Sequence, residues 1–159
     1  MKIHLHIRSS VFDDGRPIPR HFTADGEDMS PPLSWDEPPG RTQSLALICD
    51  DPDAPTPEPW VHWLICNLPP GLRELPEGLP ASTELRQPPG ASQGRNSFMR
   101  VGYGGPAPPR GHGVHHYHFR LYALDTTLTL MPAFAKEDLL RAMEGHVLGA
   151  GELVGTYQR

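Results

Sequence analysis

Proline and glycine break this sequence into short segments. The chain carries 20 prolines and 16 glycines among its 159 residues, and a proline inside a helix costs roughly 3 kcal/mol. Long helices are therefore disfavoured, and the sequence does not predict a helical bundle. Hydrophobic residues still make up 37% of the chain, and a chain of this length buries roughly two-thirds of its unfolded surface. We expect one folded domain over residues 1–159, rich in loops and turns.

Three segments are predicted to form the central strands of the fold. Ser44–Cys49 (SLALIC) and Trp60–Leu68 (WVHWLICNL) are short, continuous apolar runs, which is the pattern of strands buried on both faces. Apolar and polar residues alternate in His115–Leu124 (HHYHFRLYAL), so this strand is expected to have one inner and one outer face. The predicted inner face consists of His115, Tyr117, Phe119 and Leu121.

Two weaker patterns lie near the ends of the chain. Residues Ile3–Ile7 alternate between apolar and polar, which predicts a half-buried strand with its apolar side chains inward. Lys136–Glu144 has apolar residues at helical spacing and is followed by Gly145, which predicts a short helix. Strands joined by long Pro- and Gly-rich loops, with one late helix, predict a mainly β fold: an antiparallel β-sandwich with a short C-terminal helix.

The charge balance and the N-terminal segment bear on the class of binding partner and on the subcellular location. The formal net charge is −5 with neutral histidines, which disfavours nucleic acid or an anionic membrane as a partner. The N-terminal segment MKIHLHIRSS has no apolar stretch of signal-peptide length, and no segment approaches the roughly 20 residues of a membrane helix. These features predict a cytoplasmic location and no integral membrane association.

The two cysteines are predicted to be free thiols. Cys49 and Cys66 lie in apolar runs, where a buried thiol is common. If the two central strands pair as a hairpin, Cys49 falls opposite about residue 61 and Cys66 opposite about residue 44. The thiols would then be roughly 17 Å apart at the rise of a strand, beyond the reach of a disulfide.

The first polar cluster follows the first buried strand. Carboxylates there are costly unless they are solvated or paired. The three carboxylates are Asp50, Asp51 and Asp53. His62 lies inside the next strand, where strict alternation places it on the face shared with Leu64 and Cys66. It is either a satisfied core histidine or a pocket residue.

The second polar cluster is the glycine- and proline-rich loop Gly102–Gly113. Its glycines let the backbone approach a ligand and expose amide donors, and its prolines stiffen it. The loop is therefore either a nest of amides that cradles an anion or a rigid turn without a ligand. His115 and Tyr117 follow it on the otherwise apolar inner face of the predicted strand, and two polar side chains aimed inward predict a cavity there.

Together these motifs resemble those of a known family. The motifs are Asp51-Pro52-Asp53-Ala54-Pro55, Trp60-Val61-His62-Trp63 and GYGGPAPPRGHGVHHYHFRLYALD (Gly102–Asp125). With Ser30–Trp35 and the ending Gly145–Tyr157, the sequence resembles the phosphatidylethanolamine-binding protein family over nearly its whole length. The resemblance is greatest to the bacterial branch often called Raf kinase inhibitor-like proteins.

The resemblance implies a Greek-key β-sandwich with a small pocket for phosphate-like groups, including the phosphoethanolamine headgroup. The resemblance implies no catalytic residue, metal ligand or cofactor. It implies a regulated protein partner, such as a kinase, from the eukaryotic members of the family, and a homodimer from the bacterial branch. This sequence departs from the bacterial pattern at His116, where arginine is usual, and in the longer, more acidic Thr56–Pro59. Carried onto this chain, the ligand-binding residues are Asp51, Asp53, His62, Gly105, Pro108, Pro109, His115 and Tyr117.

Carboxylates beside an anion pocket have two physical explanations. Asp51 or Asp53 accepts a hydrogen bond from a histidine ring and favours the imidazolium that binds phosphate, or a carboxylate meets the ammonium end of a zwitterionic headgroup. In both, Tyr117 supplies a neutral donor, and binding is expected to be weak and to strengthen as the pH falls through the histidine range.

Two other classes of function stay open beside a non-enzymatic binding protein. A metal-assisted hydrolase would use the Asp/His cluster to activate water, but the sequence has no G-x-S-x-G motif, no Cys/His nucleophile pattern and no metal-ligand spacing with the needed acid. A protein-interaction module would use the exposed loops, and the sequence identifies no specific interface for it.

Overall fold

The fold consists of two β-sheets and one short helix. The computed structural model describes residues 3–159. Its strands are β1 (Ile3–His4), β2 (Ile7–Arg8), β3 (Arg16–Pro17), β4 (Leu33–Trp35), β5 (Ser44–Asp51), β6 (Trp60–Leu68), β7 (Glu74–Leu75), β8 (Ser92–Gln93), β9 (His115–Leu124) and β10 (Val147–Tyr157). Helix α1 spans Lys136–Met143, and Arg20–Phe22 forms a single 3-10 turn.

The larger sheet forms the middle of the molecule. Its strand order is β1-β10-β9-β5-β6-β8, with β3 also paired to β10, and the smaller sheet has the order β2-β4-β7. One apolar cluster joins the two sheets and includes Trp35, Leu47, Trp63 and Phe119. A second cluster lies on the opposite face of the larger sheet and includes Ile48, Leu64, Phe134 and Leu139 of α1. The predicted mainly β fold is confirmed, whereas the Greek-key connection stays a prediction.

The three central strands are confirmed. Strands β6 and β9 have the predicted bounds, and β5 continues two residues further, to Asp51. All eight residues of β5 are buried, as expected for a strand that pairs on both edges and is covered on both faces. In β9 the predicted inner-face residues are buried and the intervening ones are exposed or half-buried.

The sheet differs from the prediction in two respects. The pairings of β10 with β1 and with β3 are parallel, so the larger sheet is mixed rather than wholly antiparallel. The helix is also not the last element, because the 11-residue strand β10 follows it. This strand carries glycines where neighbouring backbone lies close: a Cβ at Gly149 would meet the carbonyl oxygen of Ile3 at 2.7 Å, and one at Gly151 would clash with that of Leu5. Such glycines weaken the strand signal in the sequence.

The predicted single strand at Ile3–Ile7 is wrong. The chain instead forms β1, which pairs with β10 of the larger sheet, and β2, which pairs with β4 of the smaller sheet. Because the segment crosses between sheets, Ile3 remains 53% exposed while Leu5 and Ile7 are buried. The alternating apolar residues of this segment therefore do not lie on one face of a single strand.

Both cysteines are free and buried, as predicted. The predicted hairpin register is wrong by two residues, because Cys49 lies opposite Trp63 rather than residue 61. Cys49 belongs to the cluster between the sheets, and Cys66 to the cluster beneath α1. Burial raises the pKa of both thiols, that of Cys66 to about 11.

Over residues 3–159, the structure contains no helix with the length and hydropathy needed to traverse a bilayer. The cytoplasmic location stays a prediction.

Candidate functional site

The polar clusters of the sequence meet at one end of the central strands. In the antiparallel arrangement, the end of β5 lies beside the starts of β6 and β9: Asp51 is opposite Trp60, and Asp50 is opposite His118. A cavity of about 210 Å³ opens at this end. Six of the eight predicted site residues line it: Asp51, His62, Pro108, Pro109, His115 and Tyr117.

A β-bulge aims His62 into this cavity. The register of β5 with β6 passes from Cys49 opposite Trp63 to Asp50 opposite Val61, which leaves His62 as the extra residue of β6. Its ring packs edge-on against Tyr117 with centroids 5.1 Å apart. The predicted face shared with Leu64 and Cys66 is therefore wrong, since those side chains lie in the cluster beneath α1. An alternation rule cannot anticipate an inserted residue.

His62 is a buried, neutral imidazole. The ring Nδ1 lies 2.5 Å from the carbonyl oxygen of Gly104; because a carbonyl only accepts, Nδ1 carries the proton and donates. Burial lowers the pKa of His62, although the hydrogen bond to Gly104 acts in the opposite direction. The neutral ring thus keeps an unprotonated Nε2, which can accept a hydrogen bond or take up a proton.

Asp51 and His115 form a buried pair in the cavity wall. Asp51 Oδ2 lies 2.6 Å from His115 Nδ1, and the two side chains are 4% and 1% exposed. The other carboxylate oxygen accepts the backbone N–H of Asp53 at 2.8 Å. Asp51 thus fixes the orientation of the His115 ring, so Nε2 is the ring nitrogen that is not committed to the carboxylate.

The hydroxyl of Tyr117 is the least satisfied polar group of the site. It is buried and has no hydrogen-bond partner among residues 3–159, although buried polar groups nearly always have one. Burial raises the pKa of Tyr117 well above its usual value, so the phenol stays protonated and can donate. A ligand in the cavity would supply the missing partner.

Asp53 and Gly105 do not line the cavity. Asp53 Oδ2 accepts both the backbone N–H and the ring Nδ1 of His116 at 2.8 Å. Partial burial would raise the pKa of Asp53, but the hydrogen bonds from His116 outweigh it and the pKa is lowered. Gly105 donates its N–H to Asp28 Oδ1 at 2.7 Å, and a Cβ there would contact Asp28 and the carbonyl of Phe22. Both residues hold the surrounding loops.

The third carboxylate, Asp50, faces the other side of the sheet. It makes ion pairs of 2.7 Å with Arg120 of β9 and with Lys136 of α1, and its side chain is 2% exposed. Asp50, Asp51 and Asp53 thus do not form one cluster, because each carboxylate is held by different partners. This satisfies the expectation that carboxylates at the end of a buried strand are paired.

Sequence reasoning missed the aromatic part of the cavity wall. Phe98 packs edge-on against both His62 and Trp60, with centroids 5.5 Å apart in each case. Its loop is held by the buried side chain of Asn96, which accepts the N–H groups of Phe98 and Arg100 and donates to the carbonyl of Gly102. The sequence offered no periodic signal for this loop. The other lining residues that were not predicted are Ala54, Pro55, Thr56 and Ala107.

Among residues 3–159, no lysine or arginine lines the cavity. Two guanidinium groups lie behind its wall: Arg159 donates to the carbonyl oxygen of Pro108 at 3.5 Å, and Arg100 lies 5.4 Å from the Phe98 ring centroid. Across the described range, 3–159, His, Cys, Asp and Glu side chains form no group of three suited to a metal ion. The arrangement can therefore bind through a phenol donor and two imidazoles rather than through a permanent cation.

Comparison with known proteins places the chain in a family. A family model described as phosphatidylethanolamine-binding protein matches residues 8–158. A UPF0098 protein of Methanothermobacter thermautotrophicus is 53% identical over 155 residues, which cover 98% of this chain and 99% of that protein.

Solved structures agree in fold over the same length. The phosphatidylethanolamine-binding protein homologue CT736 of Chlamydia trachomatis has a TM-score of 0.87 and 38% identity, with 98% of each chain covered. E. coli YbcL, described as a new member of the mammalian PEBP family, has a TM-score of 0.89 and 29% identity, with 98% of this chain and 99% of that chain covered. This chain therefore belongs to the phosphatidylethanolamine-binding protein family.

Proposed function

We propose that the protein is a non-enzymatic binding protein whose cavity takes a small phosphate-like group, including the phosphoethanolamine headgroup. The observation that carries this proposal is the buried Tyr117 hydroxyl, which is unpartnered within residues 3–159 and belongs to a side chain that lines the cavity together with two histidines. Family membership supports a binding role. Regulation of a kinase or another protein, a homodimer and a cytoplasmic location are parts of the proposal that rest on the family resemblance or on the sequence.

The charge of the cavity determines which form of phosphate it accepts. His62 is neutral, because burial lowers the pKa of its imidazole. Among residues 3–159 no lysine or arginine lines the cavity, so a phosphate dianion would meet no fixed cation there. A protonated phosphate can donate its P–OH to Nε2 of His62 while another oxygen accepts from Tyr117; alternatively, His62 takes up the proton when the anion binds. Both routes couple binding to a proton, so the affinity rises as the pH falls.

The aromatic wall suits the other end of a zwitterionic headgroup. Trp60 and Phe98 both line the cavity. The guanidinium of Arg100 already lies over the Phe98 ring, so Trp60 is the ring that would attract an ammonium group, by roughly 0.5–2 kcal/mol. Phosphoethanolamine is therefore expected to bind at least as tightly as inorganic phosphate. No observation favours the hydrolase alternative.

Calorimetry tests this proposal. Inorganic phosphate and phosphoethanolamine are titrated at pH 6 and pH 8 into the wild type, into His115→Ala, and into His146→Ala as a control. His146 is a half-buried histidine paired with Asp125 and does not line the cavity. We expect affinities of about 1 mM, stronger at pH 6, retained in the control and weakened in His115→Ala. No heat at either pH, with the wild type indistinguishable from His115→Ala, would refute the proposal.

A further inference from the structure

The second ring nitrogen of His115 is covered by another histidine. His112 Nδ1 lies 2.6 Å from His115 Nε2, and the ring centroids are 4.9 Å apart. Since His115 Nδ1 is already held by Asp51, both nitrogens of the His115 ring have protein partners. When both rings are neutral, a proton on Nδ1 of each satisfies both hydrogen bonds, with His112 donating to His115 and His115 donating to Asp51.

Few contacts hold the side chain of His112 in place. It is exposed, and within residues 3–159 its ring makes no hydrogen bond other than the one to His115. It lies in a surface turn between Gly111 and Gly113, whose φ angles of +75° and +94° suit glycine and whose surroundings within 4 Å are open. The turn is held by the backbone N–H of His112 on Pro109, so the side chain can rotate away without unfolding the turn.

We propose that His112 is a displaceable plug on His115, a residue that lines the binding cavity: a ligand that uses Nε2 of His115 must first break its hydrogen bond with His112. The ligand part of this inference rests on the proposed function, whereas the masking of Nε2 does not. His112 is thus a positioning residue that sets how readily the site accepts an anion.

The expected size of the effect follows from one hydrogen bond. A neutral hydrogen bond of this kind changes an equilibrium constant by about two- to tenfold, and a site that is open for only a fraction of the time loses affinity by that fraction. Removing the plug in His112→Ala should therefore strengthen phosphate binding about two- to tenfold, the opposite of the loss expected for His115→Ala.

Two measurements on the full chain test the plug separately from the ligand. The first is the rate of carbethoxylation of His115 by diethylpyrocarbonate, followed by peptide mass mapping without ligand, because this reagent attacks an unprotonated ring nitrogen. The second is titration with inorganic phosphate. The variants are His112→Ala, His112→Asn, whose amide can still donate to His115, and the control His146→Ala; thermal unfolding checks that each is folded.

We expect faster modification of His115 and tighter phosphate binding in His112→Ala, with His112→Asn and the control close to the wild type. Faster modification without phosphate binding in any variant would support the plug and refute the proposed ligand. An unchanged modification rate in His112→Ala, or weaker phosphate binding there than in the wild type, would overturn the plug.

Discussion

The hydroxyl of Tyr117 can be removed with almost no change in shape, which makes Tyr117→Phe an informative perturbation of the cavity. This hydroxyl is buried without a hydrogen-bond partner among the described residues, and such a group costs roughly 1–3 kcal/mol. The ring itself is 1% exposed and belongs to the cluster between the sheets, so phenylalanine keeps the packing. Tyr117→Phe should therefore be as stable as the wild type or more stable by about 1 kcal/mol.

Ligand binding should change in the opposite direction. A hydrogen bond from the phenol to an anion is worth roughly 1.5–3 kcal/mol, so its loss should weaken phosphate binding about 10- to 100-fold. Urea unfolding gives the stability and calorimetry the affinity. Tyr122→Phe is the matched control, because Tyr122 lies on the same strand and does not line the cavity. If Tyr117→Phe binds phosphate like the wild type, the hydroxyl does not contact the ligand. If Tyr117→Phe is less stable than the wild type by more than about 1 kcal/mol, the hydroxyl is not an unsatisfied group that destabilises the folded protein.

Three further predictions address stability. Burial lowers the pKa of His62 below its usual 6.5, so below pH 6.5 the unfolded chain binds a proton that the folded chain does not. The contribution of His62 to the free energy of unfolding is therefore present above pH 6.5 and declines as the pH falls below it. Urea titrations at several pH values should show a shallower decline in His62→Gln. Asp50→Ala removes the partner of two partly buried cations and should destabilise by about 3 kcal/mol in urea; a loss below about 1 kcal/mol would contradict the ion-pair account. Gly151→Ala would push a Cβ onto the backbone of Leu5 and should lower the melting temperature by several degrees. In the control Gly40→Ala, the new Cβ has open space around it and the melting temperature should stay nearly unchanged. Equal melting temperatures for the two variants would contradict the close approach of Gly151 to Leu5.

The strands that hold the site could be predicted because their sequences carry strong local signals. Ser44–Cys49 and Trp60–Leu68 are continuous apolar runs, and His115–Leu124 alternates cleanly. The final strand, Val147–Tyr157, was missed because its glycines, required by close backbone neighbours, hide the β pattern. These neighbours are distant in sequence, so only the fold shows them.

Only part of the candidate site could be predicted from the sequence. His115 and Tyr117 follow from alternation on one strand, whereas the orientation of His62 depends on a bulge. Phe98 and His112 reach the site from loops whose paths depend on Asn96 and on two glycines. A strand periodicity carries no information about either loop, because their positions depend on hydrogen bonds made only in the folded state.

A crystal structure of the protein soaked with phosphate at pH 6 tests the central claim most directly. The account predicts a phosphate in the cavity with oxygens within hydrogen-bond distance, about 2.5–3.2 Å, of the Tyr117 hydroxyl and of Nε2 of His62. A phosphate bound elsewhere on the protein, with Tyr117 and His62 untouched at a concentration that saturates binding in solution, would contradict it.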